Sequence, residues 1–149
     1  MSSQKPTTGF EGVTPILRVA DLTASIDYFV RKLGFSLTWR TDLLADVGRG
    51  PCHLFLSQGD QGAGRLWLWI GVEDADALYE EYRASGATIR HPPANYAWAY
   101  EMQVEDLDGN VLRMGSEPKP GAPIGEWLDD NGRRWRYDDE GQWRRMDGA

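Results

Sequence analysis

Apolar positions along this chain change their period several times, and the changes divide it into short elements. Residues 13–20 (VTPILRVA) are β-branched and aliphatic, as a strand requires, and Pro15 suits a strand entry or a sheet edge. Ile26, Phe29, Val30 and Leu33 then recur at helical spacing. Asp21 or Thr23 can cap that helix and Gly34 can close it. Residues 35–41, 43–47 and 52–57 return to strand patterning. A second round follows. Residues 65–72 predict a strand, and residues 74–84 a helix with Ala77, Leu78, Tyr79 and Tyr82 on its apolar side and Gly86 at its end. Short strands are expected near 88–90, 100–104 and 111–115, with Asp108-Gly109-Asn110 as a tight turn.

The two rounds share their order and spacing. Phe29 and Tyr82 stand 53 positions apart, Gly34 and Gly86 52 apart, and Val19-Ala20-Asp21 and Val72-Glu73-Asp74 each end a first strand. One internal βαβββ repeat accounts for this. The predicted fold class is α+β: two βαβββ repeats forming a curved mixed sheet with helices on the outer face, plus a C-terminal β-meander. The meander is expected over 125–149, where Trp127, Trp135 and Trp143 recur every eight residues around two turn sequences, Asp130-Asn131-Gly132 and Asp139-Glu140-Gly141. Residues 119–124, overlapping the stretch PKPGAP (118–123), link it to a main unit at 13–118, and residues 1–12 read as a flexible polar arm. A meander this short is marginal alone, so its Trp face is expected against the main unit or a partner chain.

Composition narrows the function classes. The length of 149 residues is that of one domain, and a net charge of −7 argues against nucleic acid as a partner. No apolar run approaches the roughly 20 residues that cross a bilayer, so no membrane partner is expected. The first twelve residues lack the apolar core of a signal peptide. Cys52 is the one cysteine and cannot form an internal disulfide, which points to the cytoplasm. It alternates with Leu54 and Leu56, as a small apolar filler would. Seven tryptophans are more than core filling alone explains. Strand alternation places Leu66, Leu68 and Ile70 on one face and Trp67 and Trp69 on the other, an indole wall suited to a planar ligand. Asp42 and Asp46 are near enough in sequence to add negative charge for a cationic guest.

The segment TPILRVADLTASIDYFVRKLGF (14–35), with RVADL followed by YF and LGF, resembles the opening of the glyoxalase/bleomycin resistance protein/dioxygenase (vicinal oxygen chelate) superfamily. The segment EDLDGNVLRM resembles that superfamily's closing turn and last strand, and the likeness spans residues 13–117. Within it the bleomycin-resistance branch is the most similar. Pro15 resembles the hinge proline after which an N-terminal arm swaps onto a partner subunit, and Trp67 and Trp69 resemble that branch's paired strand tryptophans. Trp98 resembles the Trp of a Pro-Trp-Gly loop, although the loop here reads YAWAYE, and Trp39 stands where the branch carries a cleft aromatic. The resemblance implies a homodimer, antibiotic binding and an antibiotic-resistance role.

Metal-dependent members of that superfamily draw His, Gln or Glu ligands from the first and last strands of each repeat. The matching positions here hold Thr14, Phe55, Trp67 and Arg113. Indole offers no lone pair and guanidinium repels a cation, so neither a cofactor nor a metal-dependent lyase or dioxygenase activity is expected. The cleft candidates are Trp39, Asp42, His53, Phe55, Trp67, Trp69, Trp98, Tyr100 and Arg113. The function they predict is non-catalytic sequestration of a planar, cationic, antibiotic-like ligand in an aromatic cleft. Two other readings stand beside it: an enzyme with a relocated metal site on His53 and Glu101, and a meander that docks another protein. His91, ahead of Pro92-Pro93, reads as a loop residue.

Overall fold

The computed structural model describes residues 8–146. Of the predicted arm, residues 1–7 lie outside that range, and residues 8–12 carry no helix or strand. The first repeat runs β1 (Ile16–Arg18), α1 (Leu22–Arg31), β2 (Ser36–Arg40), β3 (Leu44–Arg49) and β4 (Cys52–Ser57). The second runs β5 (Trp67–Gly71), α2 (Ala75–Ser85), β6 (Thr88–Asn95), β7 (Tyr100–Glu105) and β8 (Val111–Ser116). A meander of β9 (Trp127–Leu128), β10 (Arg134–Tyr137) and β11 (Trp143–Arg145) follows.

Both helices begin in the same way. The Asp21 and Asp74 carboxylates accept hydrogen bonds from the amides of Ala24 and Ala77, satisfying donors that the first turn leaves free. α2 ends on Gly86 at φ 82°, a left-handed cap. After α1 the chain turns at Gly34 (φ 76°), where an added Cβ would lie 2.6 Å from Arg49 Nη1. On α1 the buried stripe is Leu22, Ile26, Tyr28 and Phe29, while Val30, expected on that stripe, is exposed.

Each repeat forms its own four-stranded mixed sheet. The first sheet has the order β1-β4-β3-β2 and the second β5-β8-β7-β6. In both, the first strand is parallel to the last, and the remaining pairs are antiparallel. Pro15 leads into β1, an edge strand, where a missing N–H is tolerated. One helix covers one side of each sheet, and a single apolar core joins the two repeats through Phe29, Leu33, Leu56, Tyr82, Met102 and Leu112. Two buried phenols tie it together. Tyr28 Oη donates to the Glu105 carbonyl (2.6 Å) and accepts from the Thr88 amide, and Tyr82 Oη donates to the Leu33 carbonyl (2.8 Å). Burial raises the Tyr82 phenol above its usual pKa.

β6 differs from expectation. It extends to Asn95 through Pro92-Pro93, as an edge strand whose register shifts between Ile89 and His91 and again between His91 and Ala94. His91 is therefore a buried strand residue and not a loop residue, because the prolines interrupt the ladder on an outer edge without ending the strand. Burial lowers its pKa. The linker is fastened as well. Asn95 Oδ1 accepts from the Lys119 amide, and Asn95 Nδ2 donates to the carbonyls of Lys119 and Ala122. No helix among the described residues is long and apolar enough to cross a membrane.

Candidate functional site

In the second sheet, the side away from α2 carries Trp67 and Trp69 of β5, Arg113 and Gly115 of β8, and Glu101 and Gln103 of β7. Register sets Trp69 beside Arg113 and Gln103, and Gly71 beside Gly115 and Glu101. Glu101, only 1% exposed, is the hub of this face. Its carboxylate accepts from Arg113 Nε (2.7 Å) and Nη2 (3.0 Å), Trp98 Nε1 (2.6 Å) and Trp69 Nε1 (3.2 Å). A buried carboxylate is tolerable only when paired and hydrogen-bonded in this way. The same bonds fix the orientation of two indoles.

Trp69 lies over a floor of glycine. A Cβ on Gly115 would come 3.1 Å from its Cζ2, and one on Gly71 would come 3.2 Å from its Cζ3. A groove of about 410 Å³ opens between Trp69 and Trp98, and the carboxylate residues Glu73 and Glu117 contribute to its lining. Trp69 is 51% exposed.

Trp67 has the opposite fate. Its Nε1 donates to Asp130 Oδ1 (2.8 Å), Arg90 lies over its ring at 5.2 Å, and Trp127 lies 6.1 Å away. The meander thus covers this end of the sheet. Gln103 Nε2 donates to the Leu128 carbonyl (3.0 Å), Arg90 donates to the carbonyls of Leu128 and Asp129, and Tyr96 Oη donates to that of Glu126. Arg113 lies over the Trp127 ring at 5.1 Å.

The first sheet carries a second constellation. Register aligns Trp39, Asp46, Phe55 and Ile16 across four strands. Directly opposed residues share a face, and the Trp39 and Phe55 rings meet at 5.4 Å and 65°, spanning the strand that holds Asp46. Asp46 is 5% exposed. Its Oδ2 pairs with His53 Nδ1 at 2.9 Å, and its Oδ1 has no partner.

The nine candidates therefore divide. Trp67, Trp69, Trp98 and Arg113 gather on the second sheet, and Trp39, His53 and Phe55 on the first. Asp42 is exposed in the turn between β2 and β3 and joins neither group. Tyr100 alternates with Glu101 and so faces α2, where its hydroxyl donates to Asp76 (2.5 Å) and Lys119 Nζ lies 4.1 Å from its ring centre. The role of Glu101 as anchor was missed. Its signal is the alternation of β7, where Glu101, Gln103 and Glu105 alternate with Met102 and Val104.

The donor set does not fit a divalent metal. Among the described residues, no three His, Cys, Asp or Glu side chains come together to hold one. Glu101 is engaged by Arg113 and two indoles, and His53 sits on the other sheet beside Asp46. A separate cavity of about 640 Å³, lined in part by Cys52 and Tyr82, lies on the helix side. The Arg49–Glu81 ion pair (2.6 Å) is part of its wall, and none of the tryptophans reaches it.

Comparison with known proteins agrees with this architecture. The bleomycin-binding protein of bleomycin-producing Streptomyces verticillus, solved with copper(II)-bleomycin, superposes with a TM-score of 0.66 at 26% identity, covering 74% of this chain and 98% of that one. TnmS3, an antibiotic-binding protein from Streptomyces sp. CB03234, gives 0.65 at 22% identity, covering 75% and 99%. A Shewanella frigidimarina (strain NCIMB 400) protein of no assigned function is 27% identical over 116 residues, 64% of this chain and 84% of its own length. The family model of the Glyoxalase/Bleomycin resistance protein/Dioxygenase superfamily matches residues 12–114, short of the meander. With that match over more than half of its length, the chain belongs to the glyoxalase/bleomycin resistance protein/dioxygenase superfamily.

Proposed function

We propose that this protein is a non-catalytic binder that sequesters a planar, cationic, antibiotic-like compound in an aromatic cleft. The observation that carries the reading is the groove between Trp69 and Trp98, whose indoles are held in place by Glu101 and whose lining includes Glu73 and Glu117. Fixed indole walls favour a flat guest because little side-chain freedom is lost on binding. Neighbouring carboxylates and a net charge of −7 favour a positive one. Bleomycin binding by the Streptomyces verticillus protein and antibiotic binding by TnmS3 support the same class of guest.

The cleft is completed by a second copy of the chain. The Trp39–Phe55 wall on the first sheet, with the unpartnered oxygen of Asp46 beside it, supplies the opposing surface across a dimer. Phe10, 99% exposed, is an apolar side chain of the N-terminal arm that packs on the partner, and Val13, 92% exposed, follows the arm directly. The binder works in the cytoplasm, where the free thiol of Cys52 is stable, and sequestration there confers drug resistance.

Titration of intrinsic fluorescence with bleomycin and other planar cationic antibiotics tests the reading. Saturable quenching is expected, weakened about tenfold by Trp69→Ala, the factor that corresponds to loss of roughly 1.4 kcal/mol of stacking and burial. A flat titration across the whole set overturns it. Sedimentation equilibrium tests the dimer, which removal of residues 1–12 should weaken.

A further inference from the structure

The meander holds a further cavity, which shares only Trp98 with the groove described above. About 320 Å³ opens to the surface between Trp98, Trp127, Trp135 and Trp143, and Asp129 is the one charged residue in its lining. Register explains how they converge. Trp127 pairs with Trp135 across β9 and β10, and Trp143 pairs with Tyr137 across β10 and β11, so these side chains share one face of the meander. That face turns toward the main unit, where Trp98 closes it. The Trp98 and Trp127 rings stand 5.9 Å apart at 79°, and Trp98 and Trp143 stand 6.4 Å apart at 44°. Rings at such angles form the inclined sides of an open recess that suits a compact guest and leave no parallel slot for a flat one. Asp129 is held in place at the rim. Its Oδ2 accepts from Trp135 Nε1 (2.9 Å), and its Oδ1 accepts from the amides of Asn131 and Arg133.

We infer that this open aromatic recess binds a small methylated ammonium ion. Several indole faces around one volume attract a cation that carries its charge on methyl groups, because such a cation keeps its contact with the rings and loses little hydration. A carboxylate at the rim adds attraction for positive charge, and the rings exclude strongly hydrated metal ions and ammonium. The bonds from Trp135 and from the Arg133 amide also hold the Asp129 carboxyl below its usual pKa, so it is charged across the neutral range. Two neighbouring positive charges oppose binding: Arg113, which lies over the Trp127 ring and is paired with Glu101, and Arg145, directly opposite Trp135.

The probe is choline, titrated into the full chain and followed by tryptophan fluorescence, with 3,3-dimethylbutanol as a neutral isostere of the same shape. Choline should bind on the order of ten times more tightly than the isostere. Trp143→Leu should abolish the choline response with the far-ultraviolet dichroism unchanged, Arg145→Ala should strengthen it, and Trp69→Ala should leave it intact. If Trp143→Leu disturbs the fold, the choline-to-isostere ratio on the unmodified chain decides alone. Equal affinity for the two probes, or no saturation by choline, overturns the inference. Loss of choline binding in Trp69→Ala would instead assign the signal to the antibiotic groove and also overturn it. Sedimentation with phosphatidylcholine vesicles identifies the source of the ion: binding to vesicles assigns a lipid head group, and choline binding alone assigns a free solute.

Discussion

Replacing Arg113 by Met removes the partner of the most deeply buried carboxylate on the second sheet while keeping a similar stem length. Glu101 is 1% exposed and would retain only the two indole N–H donors of Trp69 and Trp98. Removing one member of a buried pair costs roughly 3–5 kcal/mol, because the remaining charge stays buried. The Arg113 side chain is 26% exposed and two donors remain, so the lower end applies, about 3 kcal/mol. With a urea slope of about 2 kcal/mol per molar, the unfolding midpoint falls by about 1.5 M. Pairing the change with Glu101→Met removes the stranded charge. The double variant should therefore recover at least about 1.5 kcal/mol relative to additivity. Urea unfolding followed by circular dichroism gives both numbers. A single-variant cost below about 1 kcal/mol, or strict additivity, would refute the idea that Glu101 depends on Arg113 for its charge balance.

Tyr82→Phe removes one of the two donors to the Leu33 carbonyl and leaves Arg49 Nη1 in place, so it should cost only about 0.5–1.5 kcal/mol in the same assay. Gly86→Ala, at φ 82°, should lose about 1 kcal/mol through strain at the α2 cap, measurable as a fall in thermal midpoint. The His91 pKa in the folded chain lies below its ordinary value of 6.5, so the unfolded chain binds the extra proton first. Stability from this residue is complete above pH 6.5 and declines as pH falls toward the lowered value; His91→Gln should flatten that limb of a stability–pH curve. Deleting residues 120–149 uncovers Trp67, Arg90 and Gln103 and should reduce solubility, read as aggregation by light scattering.

Local chemistry carried much of the fold. Asp21, Asp74 and Gly86 announce helix ends because they act within a few residues of their own position. The alternation of CHLFLS and LWLWI declares which side of each strand meets the helices for the same reason. Pro92-Pro93 signals a strand break locally, so only the start of β6 is legible from its own residues, and only the place of β6 at a sheet edge makes those prolines acceptable. Trp67 and Trp69 look equivalent in sequence. They differ because Asp130 and Trp127, some sixty residues later, fold back onto one and not the other. Glu101 looked like a spare metal ligand because the guanidinium that neutralises it comes from a strand whose register no local pattern fixes.

The docked meander also sets a length limit on any guest of the second sheet. The Trp69 indole, lying over Gly71 and Gly115, offers the outer surface on which a guest would rest, and that surface runs back along the strands only until Trp127 crosses over Arg113. At about 3.3 Å per residue this leaves a berth of roughly 7–10 Å, the span of two or three fused rings. Under the proposed function, a compound with an extended tail would have to point it outward past Glu73 and Glu117, so selection would act on the shape of the head and on the direction in which the tail leaves.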